Sequence, residues 1–261
     1  MFMGDQEEAM SHLNIILGNN GSYLPALLLK SDIYMNYSEG NEHMVEQGMQ
    51  IIESILKDSP AAQQNLLALL IKAKFFQLRR DFQKAIDTLN EACVLYKKFI
   101  PSVILKTKAH IVASDWEQCT EYNAKVLQMD ATNPEGLFIS IFYQLTRESN
   151  INQVLERMTD LENALIQREP KNSHLFYFYS KVLARVCGRR QMVLQKSLRL
   201  LERADKLTQS SDADIVCELG YQLSLLGDYQ AAFKTYQQAA ALDTTGNNME
   251  PLYGMIYCKV R

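Results

Sequence analysis

Apolar residues recur at i, i+3, i+4 and i+7 along almost the whole chain, the spacing of one buried face on a helix. Strict apolar–polar alternation, the mark of a half-buried strand, is nowhere sustained. The runs are interrupted at Gly18–Gly21, Tyr37–Asn41, Ser59-Pro60, Arg79–Asp81, Phe99–Pro101, Ser114-Asp115 and Asp130–Pro134. Further breaks fall at Glu148–Asn150, Glu169–Asn172, Cys187–Arg190, Gln209–Asp212, Gly227-Asp228 and Asp243–Asn248. Between them the pattern predicts helices of roughly 13–18 residues joined by short turns, the signature of antiparallel helical hairpins in series. With only 6 prolines and 11 glycines in 261 residues, little else interrupts this pattern, and the fold class is all-α.

A fixed period separates an array from a bundle. Arg80-Asp81-Phe82 and Ser114-Asp115-Trp116 are turns of one kind set 34 residues apart, Gly227-Asp228-Tyr229 is a third, and Gly254 follows Gly220 by 34. That spacing is the length of the tetratricopeptide repeat (TPR), so the expected architecture is a TPR-type α-solenoid, a right-handed superhelix of antiparallel helix pairs. Small residues fall where paired helices must approach. Gly220, Ala232, Tyr236 and Ala239 hold those four places in one repeat; Ala73, Ala85, Leu89 and Ala92 hold them in another, and Thr107, Cys119, Asn123 and Val126 more loosely in a third. The approximate repeats are 22–60, 66–99, 100–133, 134–172, 173–212 and 213–246, with half-repeats at 1–21 and 247–261. Three of them are lengthened, at 22–60, 134–172 and 173–212. A half-repeat at each end leaves an apolar face uncapped, so the expectation is a piece of a longer solenoid.

Composition narrows the partners. Lys and Arg total 27 against 30 Asp and Glu, a net charge of −3, which gives no electrostatic case for nucleic acid or an anionic membrane surface. Cys93, Cys119, Cys187, Cys217 and Cys258 show no paired spacing and read as small core residues of a reducing compartment. No signal peptide is visible and no apolar run reaches the ~18 residues of a membrane span, so a soluble, cytoplasmic chain is expected, with no direct membrane insertion.

A search for chemistry finds little. His12, His43, His110 and His174 are scattered, without the i, i+4 spacing that puts two imidazoles on one metal. No nucleophile elbow, P-loop or dinucleotide fingerprint is present, so neither catalysis nor a cofactor is expected. What remains is surface. The first helix of each TPR hairpin lines the concave face, and the ninth position of each repeat gives Asp32, Lys74, Lys108, Phe142, Lys181, Tyr221 and Met255. Lys74, Lys108 and Lys181 form a basic row for an acidic helix or peptide, with Phe142 and Tyr221 as aromatic anchors. A co-chaperone clamp for a terminal carboxylate needs asparagines in that row; there are none. A TPR adaptor for short linear motifs is the alternative reading of the groove.

Residues 174–243 carry a more specific signal: a CGR-x-Q turn, then LQK, LLERA and ELGYQ, then A-x-K-x-Y-x-x-A-x-x-LD. This run resembles the tetratricopeptide repeat protein 21 family, the long TPR subunit of intraflagellar transport complex A. The resemblance extends upstream through FIPSVILKTKAHIVASDWEQC to LPALLLKSDIYM, and places the chain in the N-terminal half of such proteins. It implies a non-enzymatic subunit of the train returning cargo from the ciliary tip, which also helps membrane receptors enter the cilium. Implied partners are the other complex A subunits, themselves TPR and β-propeller proteins, with cargo or adaptor peptides as further candidates. Implied locations are the cilium, axoneme and ciliary base. No family motif assigns a binding residue.

Overall fold

The computed structural model describes residues 6–36, 41–58, 63–148, 150–242 and 248–261. Among them every regular element is helical and none is a strand. The breaks read at Ser59-Pro60 and most of those at Tyr37–Asn41 and Asp243–Asn248 lie outside the described residues. The chain forms two compact units, Met1–Met129 and Asp130–Arg261.

The first unit holds α1 (Gln6–Asn19), α2 (Leu24–Asn36), α3 (Glu42–Asp58), α4 (Leu66–Leu78), α5 (Phe82–Leu95), α6 (Ile100–Val112) and α7 (Trp116–Met129). Consecutive helices pair as α2 with α3, α4 with α5 and α6 with α7, and each pair leans on the next. The second unit holds α8 (Pro134–Tyr143), a π-helical turn at Gln144–Glu148, α9 (Ile151–Arg168), α10 (Ser173–Val186), α11 (Gln191–Thr208), α12 (Ala213–Leu226), α13 (Tyr229–Leu242) and α14 (Glu250–Val260). Here α8–α9, α10–α11 and α12–α13 pair, and α14 packs on α13.

The three turns of one kind share one geometry. The backbone turns left-handed at Arg80 (φ 60°), Ser114 (φ 60°) and Gly227 (φ 88°). The next residue, always Asp, then donates its backbone N–H to a carbonyl five residues back: Asp81 to Phe76 at 2.9 Å, Asp115 to His110 at 2.9 Å and Asp228 to Leu223 at 3.1 Å. This is the six-to-one closure that satisfies a helix's last carbonyls. The same aspartates start the following helices, accepting from Lys84 N at 3.3 Å, Gln118 N at 3.2 Å and Ala231 N at 3.0 Å. One dipeptide thus ends one helix and caps the next.

Close approach within each pair is set by the eighth position of its first helix. Ser31, Ala73, Thr107, Ile141, Ser180 and Gly220 are all buried. The hydroxyls among them are satisfied without extra space. Ser31 donates to the Gly48 carbonyl at 2.7 Å, and Thr107 to the Val103 carbonyl at 2.8 Å. Ser180 and Ser197 exchange hydroxyl-to-carbonyl bonds at 2.8 and 2.9 Å. A buried hydroxyl left unpaired would cost about 1–3 kcal/mol, so these reciprocal bonds let serine substitute for alanine at the contact.

Ala85, Ala92, Ala232 and Ala239 are fully buried, as are Cys119 and Val126. Tyr236 on α13 is 5% exposed, and glycines flank its ring: a Cβ on Gly220 would stand 2.8 Å from it and one on Gly254 2.3 Å. Only glycine lets both α12 and α14 close on that ring.

Two features differ from a simple reading of the pattern. The α8 run does not continue as one α-helix to Glu148; its last turn widens into the π-helical segment, where Thr146 donates to the Phe142 carbonyl at 2.8 Å. The lengthened α9 is fastened instead by Arg168, which forks onto Asp130 at 2.8 and 2.6 Å, tying its last turn to the loop before α8.

Candidate protein-binding groove

The ninth-position residues fall into two sets, one per unit. In the first unit Asp32 on α2 and Lys74 on α4 are half-buried partners. Burial raises the Asp32 carboxyl pKa, with Lys74 opposing; burial lowers that of the Lys74 ammonium, with Asp32 opposing. Lys74 Nζ also donates to Asn36 Oδ1. Its charge is thus turned toward its own chain. Lys108 on α6 is exposed. Two residues earlier Lys106 is 5% exposed, its Nζ 3.4 Å from the centre of the Tyr122 ring, a cation–π contact. His110 stacks on the same ring at 5.5 Å.

In the second unit Phe142 is half-buried, its ring 6.4 Å from that of Phe138, which in turn lies 6.3 Å from Phe178. Lys181 on α10 and Tyr221 on α12 come together around a cleft of about 300 Å³. Two more of its lining residues stand one helical turn either side of Lys181. Tyr177 precedes Lys181 by four residues and accepts its Nζ at 2.7 Å; Arg185 follows by four and reaches Glu218 Oε1 at 2.7 Å. Arg185 also lies over the Tyr221 ring, 4.7 Å from its centre. Met255 packs on the core beside Tyr221.

Glu218 is the buried member of this network, its side chain only 4% exposed. Gln222 Nε2 bridges it to Ser180, donating to Glu218 Oε1 at 3.0 Å and Ser180 Oγ at 2.9 Å. The cleft's polar floor is therefore bonded to the α10–α11 contact. The Tyr177 phenol raises the Lys181 pKa, and that of Arg185 is raised because the bond and charge of Glu218 outweigh burial. Burial, with Glu250, Glu218 and Asp214 adding to it, pushes the Cys217 thiol up to about 11. A thiol so held is protonated and inert at neutral pH.

A larger hollow, about 670 Å³, opens at Gly227, Tyr229, Phe233 and Cys258, and none of the ninth-position residues lines it. Among the described residues no group of three or more His, Cys, Asp and Glu is placed to hold a metal, and no helix is long and apolar enough to cross a membrane.

The arrangement offers contact surface, with its buried charges already paired. Sequence counting reached Lys181 and Tyr221 but missed Tyr177, Arg185 and Glu218. Their signal is the one-turn neighbourhood of the ninth position: Tyr177 and Arg185 stand four residues either side of Lys181, and Glu218 three before Tyr221.

Two family models match. The model described as the tetratricopeptide repeat protein 21 N-terminal ARM repeat covers residues 1–120, and that of the second ARM domain of the same protein covers 156–261. The chain belongs to the tetratricopeptide repeat protein 21 family. Human tetratricopeptide repeat protein 21B is 30% identical across 98% of this chain, and the mouse 21B protein 31% across 87%. Mouse tetratricopeptide repeat protein 21A is 27% identical across 99%. The chain spans about one fifth of the length of these family members, 20%, 17% and 19% respectively.

Among solved structures, the APC/C hetero-tetramer Cut9–Hcn1 aligns with a TM-score of 0.67 at 11% identity, over 97% of this chain and 46% of that one. Yeast Tom70 aligns at 0.58 and 12% identity, over 98% and 59%. At such identities the likeness shows the fold alone, a TPR-type α-solenoid. The tetratricopeptide repeat protein 21 family thus presents here a repeat scaffold built for protein–protein contact.

Proposed function

We propose that this chain is a non-enzymatic tethering segment of intraflagellar transport complex A, working in retrograde transport within cilia and in the ciliary entry of membrane proteins. The supporting observation is family membership along nearly its whole length, joined to a fold that offers stacked helix faces. Its partners in this reading are the other complex A subunits, TPR and β-propeller proteins, with cargo or adaptor peptides reaching the groove. Its location is the cilium, the axoneme and the ciliary base.

The physical mechanism is contact without conversion. Each helix pair buries its apolar stripe against the next, leaving first-helix side chains free to meet a partner over many repeats. Affinity capture with the 261-residue chain from ciliated cells, followed by mass spectrometry, tests the proposal. Recovery of complex A subunits above a scrambled-surface control is expected; their absence, with the chain folded and abundant, overturns it.

A further inference from the structure

Two carboxylates and one ring at the cleft in the second unit are not used by the groove network. The cleft is bordered by three acids, Asp214, Glu218 and Glu250, against two cations, Lys181 and Arg185. Both cations are already engaged: Lys181 with the Tyr177 phenol, Arg185 with Glu218, the Lys181 carbonyl at 3.1 Å and the Tyr221 ring. Glu218, nine-tenths buried, spends one oxygen on both of its bonds; Oε2 takes none from the described residues. Asp214 and Glu250 are exposed, and neither side chain is ion-paired among the described residues. Tyr253, one turn after Glu250 on α14, is 67% exposed and lines the same cleft.

The cleft therefore contains one complete set of groups and one incomplete set. The complete set is a guanidinium, Arg185, laid over a tyrosine face and held by a carboxylate. The incomplete one has the tyrosine, Tyr253, and the carboxylates, Asp214 and Glu250, with no cation ion-paired to them among the described residues. Positions in the first turns of α12 and α14 account for the sign of those two acids, because carboxylates favour helix N-termini. They do not account for an exposed tyrosine at the same cleft, or for a buried carboxylate with an open oxygen. Burial is the main cause of the rise in the Cys217 thiol pKa; all three acids add to it and Lys181 opposes them.

We infer that this cleft receives an arginine side chain presented by a partner polypeptide. A planar guanidinium both stacks on a tyrosine face and forks onto carboxylate oxygens, which a lysine ammonium does less well. A volume of about 300 Å³ suits one side chain and not a helix. The inference rests on the tethering reading only for the source of that arginine, and it assigns the cleft a basic partner, where the lysine row alone points to an acidic one.

The test is a titration of the 261-residue chain, isotope-labelled for NMR, with the capped peptide Ala-Ala-Arg-Ala-Ala and its citrulline, lysine and glutamate counterparts. Arginine is expected to shift resonances of Tyr253, Tyr177 and the α12 N-terminus, and citrulline, which lacks the charge, to bind at least about tenfold more weakly. Glu250→Gln with Tyr253→Ala, both surface positions, should weaken arginine binding by a similar factor while the circular dichroism and melting curve stay unchanged. Asp214→Asn serves as an independent second variant. Equal binding of arginine and citrulline, preference for glutamate, no shift at the cleft, or unweakened binding in the variants would each overturn the assignment. The titration reads the cleft alone and subunit capture reads the transport role, so either can fail while the other stands.

Discussion

Tyr236 shows how much a single contact carries. Its ring occupies the space that Gly220 and Gly254 vacate, so adding a methyl group at either glycine forces a ring or a helix to move. Gly220→Ala and Gly254→Ala are each expected to cost about 1–3 kcal/mol in chemical denaturation, the usual range for overpacking. In a Tyr236→Leu background both penalties should shrink, because the obstruction is gone; additive losses across that cycle would contradict the packing. The 34-residue recurrence of glycine was legible in the sequence, but its reason, one ring shared by two helices, needed coordinates.

His110 is a second residue whose surroundings set its behaviour. It is 5% exposed; its Nδ1 lies 3.4 Å from Asp115 Oδ2, an electrostatic contact too loose to count as a good hydrogen bond, and neither ring nitrogen is otherwise paired. Burial lowers its pKa, Asp115 raises it and Lys106 lowers it, with a net downward shift. The unfolded chain takes up that proton near pH 6.5, the folded chain only at lower pH. Between the two the unfolded state binds more protons, so stability is full above about pH 6.5 and falls as the solution is acidified. His110→Phe, which keeps the stacking on Tyr122, should flatten that acid slope in denaturant midpoints measured from pH 7.5 to 5; identical slopes for both proteins would contradict the assignment.

At the scale of elements, the turns were the most readable part of the fold. An aspartate after a tight break, 34 residues from its counterpart, marks one helix's end and the next one's start by local chemistry that needs no tertiary contact. The left-handed residue before it is strained unless it is glycine. Ser114 holds φ 60° with a side chain, where Gly227 holds φ 88° without one. Ser114→Gly is therefore expected to stabilise the protein by roughly 0.5–1 kcal/mol, and Gly227→Ala to destabilise it by about 1 kcal/mol, because the left-handed penalty outweighs glycine's extra unfolded freedom. A fall in midpoint for Ser114→Gly would count against the turn geometry. The π-helical end of α8 was illegible by comparison: Gln144–Glu148 continues the apolar spacing, and the widened turn depends on how α8 and α9 pack. The groove network was half legible for a related reason. Lys181 and Tyr221 sit at a countable position, whereas the pairing of Arg185 with Glu218 spans 33 residues and depends on how α10 and α12 stack.

At the scale of the molecule, period, small-residue positions and the CGR-x-Q run converge on a tetratricopeptide repeat protein 21 scaffold, and the family models match the same stretches. Solenoid surface presented over many repeats favours broad contacts, in keeping with a tether. The proposal that matters most is direct contact with subunits of complex A. Cross-linking mass spectrometry on the complex captured from ciliated cells tests it, since lysine-reactive reagents report adjacency and not mere co-purification. Cross-links from lysines of this chain, Lys108 among them, to other complex A subunits are the predicted result. Links confined to the chain itself, in a preparation where those subunits link to one another, would contradict the account.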